Sequence, residues 1–481
     1  MNVFLLVDFG STFTKVMAVD IDGETVIGRA QAPTTIETDI MLGLAGALEA
    51  LHDEYGIAPD SFAERLACSS AAGGLKMAAI GLVPALTLEA ARRACLNAGA
   101  KVVCSYGFEI DSETIQKIEN QKCDIIMLAG GTDGGNKNVI IHNAEVLAAS
   151  NLQCPVLVCG NRNAQSAVRY ILEESGKNVY TAENVLPTLD LVVAEPAQNV
   201  IREVFIDHIV QARGLSEAQD YIGKNIIPTP LASLLAAELI ADGTKYEQGI
   251  GPLLVVEIGG ATTNIHTVAD NEPVNQQAVL RGLPEPRVKR TVEGDLGIRW
   301  NSHTIYDMAG QERLTTIFRE LTNGNDGSVD FKEYTDRLIN NTSHIPESDV
   351  EYNMDIALAR ASAEIAVGRH AGKFKTEPSL IGDITVQYGK NLLNVKNIIG
   401  TGGIFKYGNE PGRILKAALF DPSAPESLRP KNPAAWLDYE YILYGVGLLS
   451  QQAPEIALRI AKKYLKPYSP DQHYKEENYV F

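Results

Sequence analysis

The stretch VDFGSTFTKV, residues 7–16, returns as VEIGGATTNI at residues 256–265, and the reading of the chain turns on that echo. In each copy a run of apolar residues ends in an acid, Asp8 or Glu257. An apolar residue, glycine, small residues and a threonine follow, and then a second apolar-rich run. Each copy predicts a strand, a tight turn and a second strand. Such a repeat, 249 residues apart, predicts two similar domains facing each other.

The chemistry of the turns follows from their residue types. Gly10, Gly259 and Gly260 let backbone N–H groups approach a ligand with no Cβ in the way. Successive N–H groups in such a turn form an anion-binding concavity. Ser11, Thr12, Thr14, Thr262 and Thr263 add hydroxyl donors, and Lys15 adds a positive charge if it points inward. Asp8 and Glu257 stand where acids hold a hydrated divalent cation. Mg2+ suits that role, since it keeps several waters and prefers oxygen ligands. Either copy alone is equally a hairpin with turn glycines. Together they predict a clamp on the β- and γ-phosphates of a nucleotide. A third element, NIIGTGGIF at 397–405, is a strand running into Gly400, Thr401, Gly402 and Gly403, with a helix expected from Glu410. Its glycines would admit a nucleoside.

Outward from these motifs, strands are expected at 4–7, 15–20, 25–30, 101–105, 125–128, 156–158, 253–257, 264–268 and 396–399. Helical patterns fall at 38–55, 88–98, 136–149, 164–173, 197–212 and 231–241. This alternation is α/β architecture with mixed sheets. The polar, glycine-bearing stretch 243–251 divides the chain into halves, 1–242 and 243–481. Residues 284–307 and 423–433 read as irregular, and the tail after Pro467 as surface-laid or disordered.

Composition bounds the function. The 481 residues are 45% hydrophobic and 21% charged, with a net charge of −18 and a pI near 5.0. No basic excess exists to neutralise phosphates, which excludes a nucleic-acid or anionic-membrane partner. Six cysteines without a CxxC pair read as reduced thiols; Cys154 and Cys159, the pair nearest in sequence, read as core packing. No basic leader and no apolar run of membrane-spanning length stand in the sequence, so a cytoplasmic protein is expected. Residues 322–333 mimic an EF-hand loop but carry Thr322 and Gly324 where carboxylates belong, so calcium is not expected. There is no Walker-type loop. No histidine spacing suits zinc. His266 reads as a structural histidine, and Tyr439, Tyr441 and Tyr444 as core or interface.

With these motifs in order, the chain resembles the actin–Hsp70–sugar kinase ATPase superfamily. Residues 8–15 look like its first phosphate motif, and 257–264, including Ala261, like its second. Residues 400–403 look like its adenosine motif. PTPLASLLAAELI at 228–240 and YILYGVGLLS at 441–450 resemble its two connecting helices, which cross closely through small residues. The resemblance implies two ribonuclease-H-like domains with mixed sheets, and roughly residues 66–191 then form an extra α/β insertion in the N-terminal half. Two departures stand out. Glu257 replaces the usual aspartate, shifting the carboxylate by about 1.5 Å, one C–C bond. Asn264 stands where aspartate is frequent. Both bear on hydrolysis rate and metal geometry more than on nucleotide binding.

A narrower resemblance rests on LAGGTDGGNKNVIIHNAEVLA (128–148), SSAAGGLKMAAIGLVPALT (69–87), RTVEGDLGIR (290–299) and RHAGK (369–373). These are similar to the glutamate-mutase accessory family, called MutL or GlmL and unrelated to the mismatch-repair protein sharing the first name. That resemblance implies a chaperone-like reactivating factor that uses ATP and Mg2+. Its partner would be the subunits of an adenosylcobalamin-dependent mutase or aminomutase, from which it exchanges damaged cobalamin. It implies a weak Mg-dependent ATPase in which Asp8 and Glu257 serve catalysis and hold the metal through water. Asp133, in the loop 130–136, either belongs to an anion- or client-binding loop at a helix N-terminus or caps a tight turn. Glu293 and Asp295 either reach the metal's water shell or are ordinary loop acids. The rival readings are a small-molecule kinase of the same fold, which lacks an identifiable catalytic aspartate, and a nucleotide-dependent scaffold ATPase.

Overall fold

The computed structural model describes residues 2–35, 39–70, 75–205, 216–324, 329–379, 382–408 and 410–468. The tail beyond 468, the second half of the helix expected at 197–212, residues 71–74 of one family motif and the centre of the 322–333 stretch lie outside them. The chain divides into two compact units. One is Met1–Ala236 with Val279–Val292 and Tyr444–Ile460; the other is Ala237–Ala278 with Glu293–Leu443 and Ala461–Phe481.

The first unit begins with a meander. Strands β1 (Val3–Phe9), β2 (Phe13–Asp20) and β3 (Thr25–Pro33) pair antiparallel in succession. Every residue of β1 is buried, as its unbroken apolar run requires of a central strand. Helix α1 (Ile40–Tyr55) then crosses the sheet. Its buried residues Ile40, Leu44, Ala47, Leu48 and Leu51 recur at helical spacing on one face. Asp39 caps its start by accepting from the Met41 N–H at 2.8 Å, and Gly56 ends it in the left-handed region, at φ 69°. Strand β4 (Glu64–Ser69) returns parallel to β1.

An all-parallel sheet follows. It contains β5 (Lys76–Gly81), β6 (Lys101–Gly107), β7 (Ile125–Leu128), β8 (Val156–Val158) and β9 (Val179–Thr181), in the order β6-β5-β7-β8-β9. Helices α2 (Glu89–Asn97), α3 (Ser112–Gln121), α4 (Asn138–Ala148) and α5 (Arg162–Glu174) alternate with these strands. This is the expected insertion, a doubly wound sheet in its own right. Strand β10 (Ile227–Pro228) closes the first sheet, whose order is β10-β4-β1-β2-β3.

The second unit repeats the opening plan. Strands β11 (Leu253–Ile258) and β12 (Thr263–Val268) form the second hairpin. Strand Asn397–Thr401 pairs parallel with β11, as β4 does with β1, and Ala434–Leu437 pairs parallel with it in turn. Helices Ser302–Leu321, Phe331–Asn340 and Asp349–His370 carry this unit's core with β11. Both units are therefore α/β with mixed sheets, as expected.

Three local expectations need correction. A short helix, Gly403–Tyr407, comes directly after the Gly400–Gly403 stretch, because Gly402 leaves the strand at a positive φ and the chain turns at once; the helix expected from Glu410 follows it as a 3-10 helix, Pro411–Ala418. The region 284–307 is not wholly irregular: Val288–Glu293 is a strand and a helix begins at Ser302. Tyr439 and Tyr441 precede the helix Leu443–Leu449 rather than sharing its face with Tyr444. The close helix crossing is present. A Cβ on Gly447 would lie 1.8 Å from the carbonyl oxygen of Ala232, in helix Thr229–Asp242, so only glycine fits there.

Candidate functional site

The first hairpin holds its acid inside the fold. Asp8 is 1% exposed, facing Lys15 across the strand pair, and the Lys15 ammonium donates to its Oδ2 at 3.1 Å. The Thr229 hydroxyl donates to Oδ1 at 2.7 Å, and the Cys68 thiol approaches the same oxygen at 3.6 Å. Desolvation of Cys68 and the charge of Asp8 beside it push that thiol well above the ordinary range. A buried carboxylate with three donors is fixed in place.

The turn of this hairpin has a definite polarity. The Thr34 hydroxyl donates to the Gly10 carbonyl at 2.9 Å and the Thr34 N–H to the Thr12 carbonyl at 2.9 Å. The Gly10 N–H closes on the Phe13 carbonyl at 3.1 Å. A Cβ at Gly10 would stand 2.6 Å from that oxygen. Among the described residues, the N–H groups and hydroxyls of Ser11 and Thr12 meet no protein acceptor, and both residues are half-buried. Carbonyls are tied back while donors are presented, which is the arrangement an anion needs.

The second hairpin reproduces this polarity with different residues. Its tether is the segment after the strand Val288–Glu293. The N–H groups of Ile298, Arg299 and Trp300 donate to the carbonyls of Gly259 (3.2 Å) and Gly260 (2.9 Å for both Arg299 and Trp300). The Asn301 side chain donates to the Ala261 carbonyl at 2.8 Å. Gly297 lies so close to Ala261 that a Cβ would sit 2.2 Å from its carbonyl carbon. Arg299 anchors the tether through a two-pronged pair with the buried Asp355, at 3.2 and 2.6 Å, and the Tyr334 hydroxyl donates to the same carboxylate at 2.9 Å. Among the described residues, the N–H groups of Gly260, Ala261 and Thr262 and the Thr262 hydroxyl meet no protein acceptor.

Glu257 is held otherwise than Asp8. Its cross-strand partner Asn264 donates to Oε2 at 3.2 Å, and the His266 Nε2 lies 3.0 Å from the same oxygen. Glu257 is 8% exposed and His266 fully buried. His266 is structural, as the sequence suggests, but its partner is the candidate acid itself. The alternation of β12 carried that signal: 264 and 266 share a face, and 264 stands opposite 257.

Several expected ligands are engaged within the protein. Thr14 and Thr263 occupy matching positions, opposite Phe9 and Ile258, and both are fully buried. The Thr14 hydroxyl lies 3.1 Å from that of Thr34. The Thr263 hydroxyl donates to the Leu296 carbonyl at 2.8 Å and lies 2.7 Å from Ser362. In the third motif the Thr401 hydroxyl donates to the buried Asp438 at 2.8 Å. Asp438 also accepts from the N–H groups of Ile442 (2.8 Å) and Leu443 (3.1 Å), yet burial raises its pKa above the ordinary carboxylate value. Gly400 makes room for the Phe405 ring, and Gly402, at φ 112°, for the Ile258 carbonyl; only Gly403 faces open space.

The remaining candidates fall outside these turns. Glu293 is ion-paired with Arg369, and Asp295 is exposed. Asp133 accepts from the Arg162 N–H and the Asn184 side chain, each at 2.9 Å. Asn161 closes the same loop by donating to the carbonyls of Gly135 (3.1 Å) and Asn136 (3.0 Å). Asp133 thus caps a tight turn, at the start of α5 rather than of the helix that follows its own loop. Among the described residues no helix is long and apolar enough to cross a membrane.

The model of a family described as MutL protein matches residues 4–465. A curated relative, Protein MutL of Clostridium tetanomorphum, is 44% identical over 465 residues, covering 97% of this chain and 99% of its own. Among solved structures, the activator of the 2-hydroxyisocaproyl-CoA dehydratase from Clostridium difficile, with bound ADPNP, aligns over 97% of this chain and 99% of its own. It shows 10% identity and a TM-score of 0.32. A glycerol dehydratase reactivase aligns over 93% and 99%, with 9% identity and a TM-score of 0.33. A xylulose kinase from Lactobacillus acidophilus aligns over 98% and 93%, with 11% identity and a TM-score of 0.34.

Proposed function

The chain belongs to the MutL protein family, and we propose on that premise that it is an ATP-dependent reactivating factor for an adenosylcobalamin-dependent mutase or aminomutase, exchanging damaged cobalamin for intact cofactor. The observation that carries the nucleotide part is the polarity of the two turns. The carbonyls of Gly10 and Thr12 in one turn, and of Gly259, Gly260 and Ala261 in the other, are tied to the chain's own donors while successive N–H groups, at 11–12 and 260–262, meet no protein acceptor among the described residues. Such turns bind phosphate oxygens without a Walker loop.

In this reading Ser11, Thr12, Gly260, Ala261 and Thr262 hold phosphates, and Gly403 faces the nucleoside. Asp8 and Glu257 hold Mg2+ through its waters, since neither carboxylate sits in a ready-made cage and Mg2+ keeps waters readily. The cation would neutralise charge on the phosphates. Glu257, its Oε2 shared by His266 and Asn264, is a poorer general base than a free aspartate, so the chain hydrolyses ATP slowly and spends it on remodelling a client. The protein works in the cytoplasm in this account.

The test inactivates an adenosylcobalamin-dependent mutase with hydroxocobalamin. It then adds the full chain, ATP, magnesium and fresh adenosylcobalamin. Recovery of activity with ATP but not with ATP omitted is expected. ATP binding without recovery of any such mutase or aminomutase would overturn the reactivating role and leave the nucleotide reading standing.

A further inference from the structure

The insertion carries two thiols that sequence spacing does not bring together. Cys123 and Cys154, thirty-one positions apart, have their sulfurs 3.9 Å from one another. Cys123 lies two residues before β7 and Cys154 two before β8, and these strands are parallel neighbours, with Ile126 opposite Val156. The Ile126 N–H donates to the Pro155 carbonyl at 2.9 Å, which fixes the two approaching chains side by side. Adjacent strands stand about 4.8 Å apart, within the Cα separation that a disulfide spans. Closing the sulfurs from 3.9 Å to a bond of about 2.05 Å needs a side-chain movement of under about 2 Å.

Exposure sets three thiols apart from the rest, and position picks out two of the three. Cys68, Cys95 and Cys159 are buried, whereas Cys104, Cys123 and Cys154 are half-buried, and Cys123 and Cys154 lie at the end of the sheet opposite the Gly130–Asn136 loop. The Lys177 ammonium is fastened beside Cys154 by the carbonyls of Ser150 and Leu152, each at 2.7 Å. The hydrogen bond shared by the two sulfurs lowers the Cys154 pKa, with Lys177 adding to it, and raises that of Cys123. The directions of these shifts and the nearby Lys177 ammonium make Cys154 the better attacking sulfur of the pair and Cys123 the one that follows it.

We propose that Cys123 and Cys154 form a dithiol site that undergoes thiol–disulfide exchange, closing an intramolecular disulfide at the base of the insertion's parallel sheet. The oxidant is a low-molecular-weight disulfide such as oxidised glutathione. The Cys154 thiolate attacks one of its sulfurs, forming a mixed disulfide and expelling one glutathione thiolate. Cys123 gives up its proton and attacks the Cys154 sulfur. The Cys123–Cys154 bond forms, the mixed disulfide breaks, and the second glutathione leaves as a thiolate. Two protein thiols are oxidised, one disulfide is reduced to two thiols, and the protons pass to the released glutathione and solvent.

The test treats the reduced, full-length protein in its folded state with glutathione disulfide, then unfolds it in urea, alkylates the remaining thiols and maps the peptides by mass spectrometry. Two of the six cysteines should resist alkylation and appear as a 123–154 linked pair, reversed by dithiothreitol. Cys123→Ser should trap one glutathione on Cys154, and Cys104→Ser should leave the linked yield unchanged. The proposal is overturned if both cysteines stay alkylated in the folded protein while urea-unfolded protein reacts. It is equally overturned if Cys123 links to Cys104, or if wild type stops at the mixed disulfide.

Discussion

Replacing Gly402 and Gly403 one at a time separates packing from ligand approach within a single motif. In Gly402→Ala the new methyl would sit 2.1 Å from the Ile258 carbonyl oxygen, on a residue held at φ 112°. The backbone strain costs about 1–3 kcal/mol. Relieving a contact with backbone costs about another 1–3 kcal/mol, because β11 must shift. The expected loss is roughly 2–6 kcal/mol in the second unit, a fall in its Tm of roughly 4–24 °C. A Cβ at Gly403 meets nothing within 4 Å, and the residue opens the helix Gly403–Tyr407. Gly403→Ala should therefore keep stability within about 1 kcal/mol of wild type while weakening ATP binding by filling the space offered to the nucleoside. Urea unfolding and ATP titration of both variants check this. Equal stability losses in the two, or an unchanged midpoint in Gly402→Ala, would refute the assignment of these glycines.

Three further outcomes follow from the turns and their supports. Arg299→Ala strands the buried Asp355 carboxylate and frees the tether of the second turn, so it should cost about 3–5 kcal/mol, with part regained in Arg299→Ala/Asp355→Ala; an additive double-mutant cycle by chemical denaturation would contradict the pairing. Asp8→Asn keeps the side chain's shape but removes the charge facing Lys15, and Mg-dependent ATP turnover should fall by about 100-fold or more in a phosphate-release assay, with unchanged turnover refuting its role. The third outcome concerns pH. The folded pKa of Asp438 is raised above its unfolded value, so its stabilising contribution is full below about pH 3.9, the ordinary carboxylate value, and is lost as pH rises through the raised folded pKa. Asp438→Asn should flatten that fall in a series of thermal melts above pH 4, and an identical pH profile would argue against a protonation-linked role for this carboxylate.

Much of this was legible because the informative signals are local. The strands at 125–128 and 156–158 match to the residue, since short fully buried apolar runs between turn residues admit one reading. The two hairpins were found by their echo, and their acids are buried at the same register. The supports of the turns were not legible. Thr34 lies twenty-four residues from Gly10, and the 298–301 tether thirty-eight or more from Gly260, so only the folded chain shows which carbonyls they occupy. Strand β5, KMAAIG, is not marked in the sequence because its small residues carry no strand-specific pattern. The threonines at 14 and 263 read as ligands in the sequence because hydroxyl chemistry is visible there, while strand facing is fixed only by register. The Cys123–Cys154 approach depends on which strands of the inserted sheet are neighbours, and spacing along the chain does not contain that.

The most direct test of the account is equilibrium binding of ATP and of AMP to the full chain in the presence of magnesium, measured by calorimetry. If the N–H groups at 11–12 and 260–262 hold the terminal phosphates, ATP should bind at least about tenfold more tightly than AMP, since one charge-assisted hydrogen bond contributes roughly 1.5–3 kcal/mol. Equal affinity for the two nucleotides, or no binding of either, would contradict the reading of both turns.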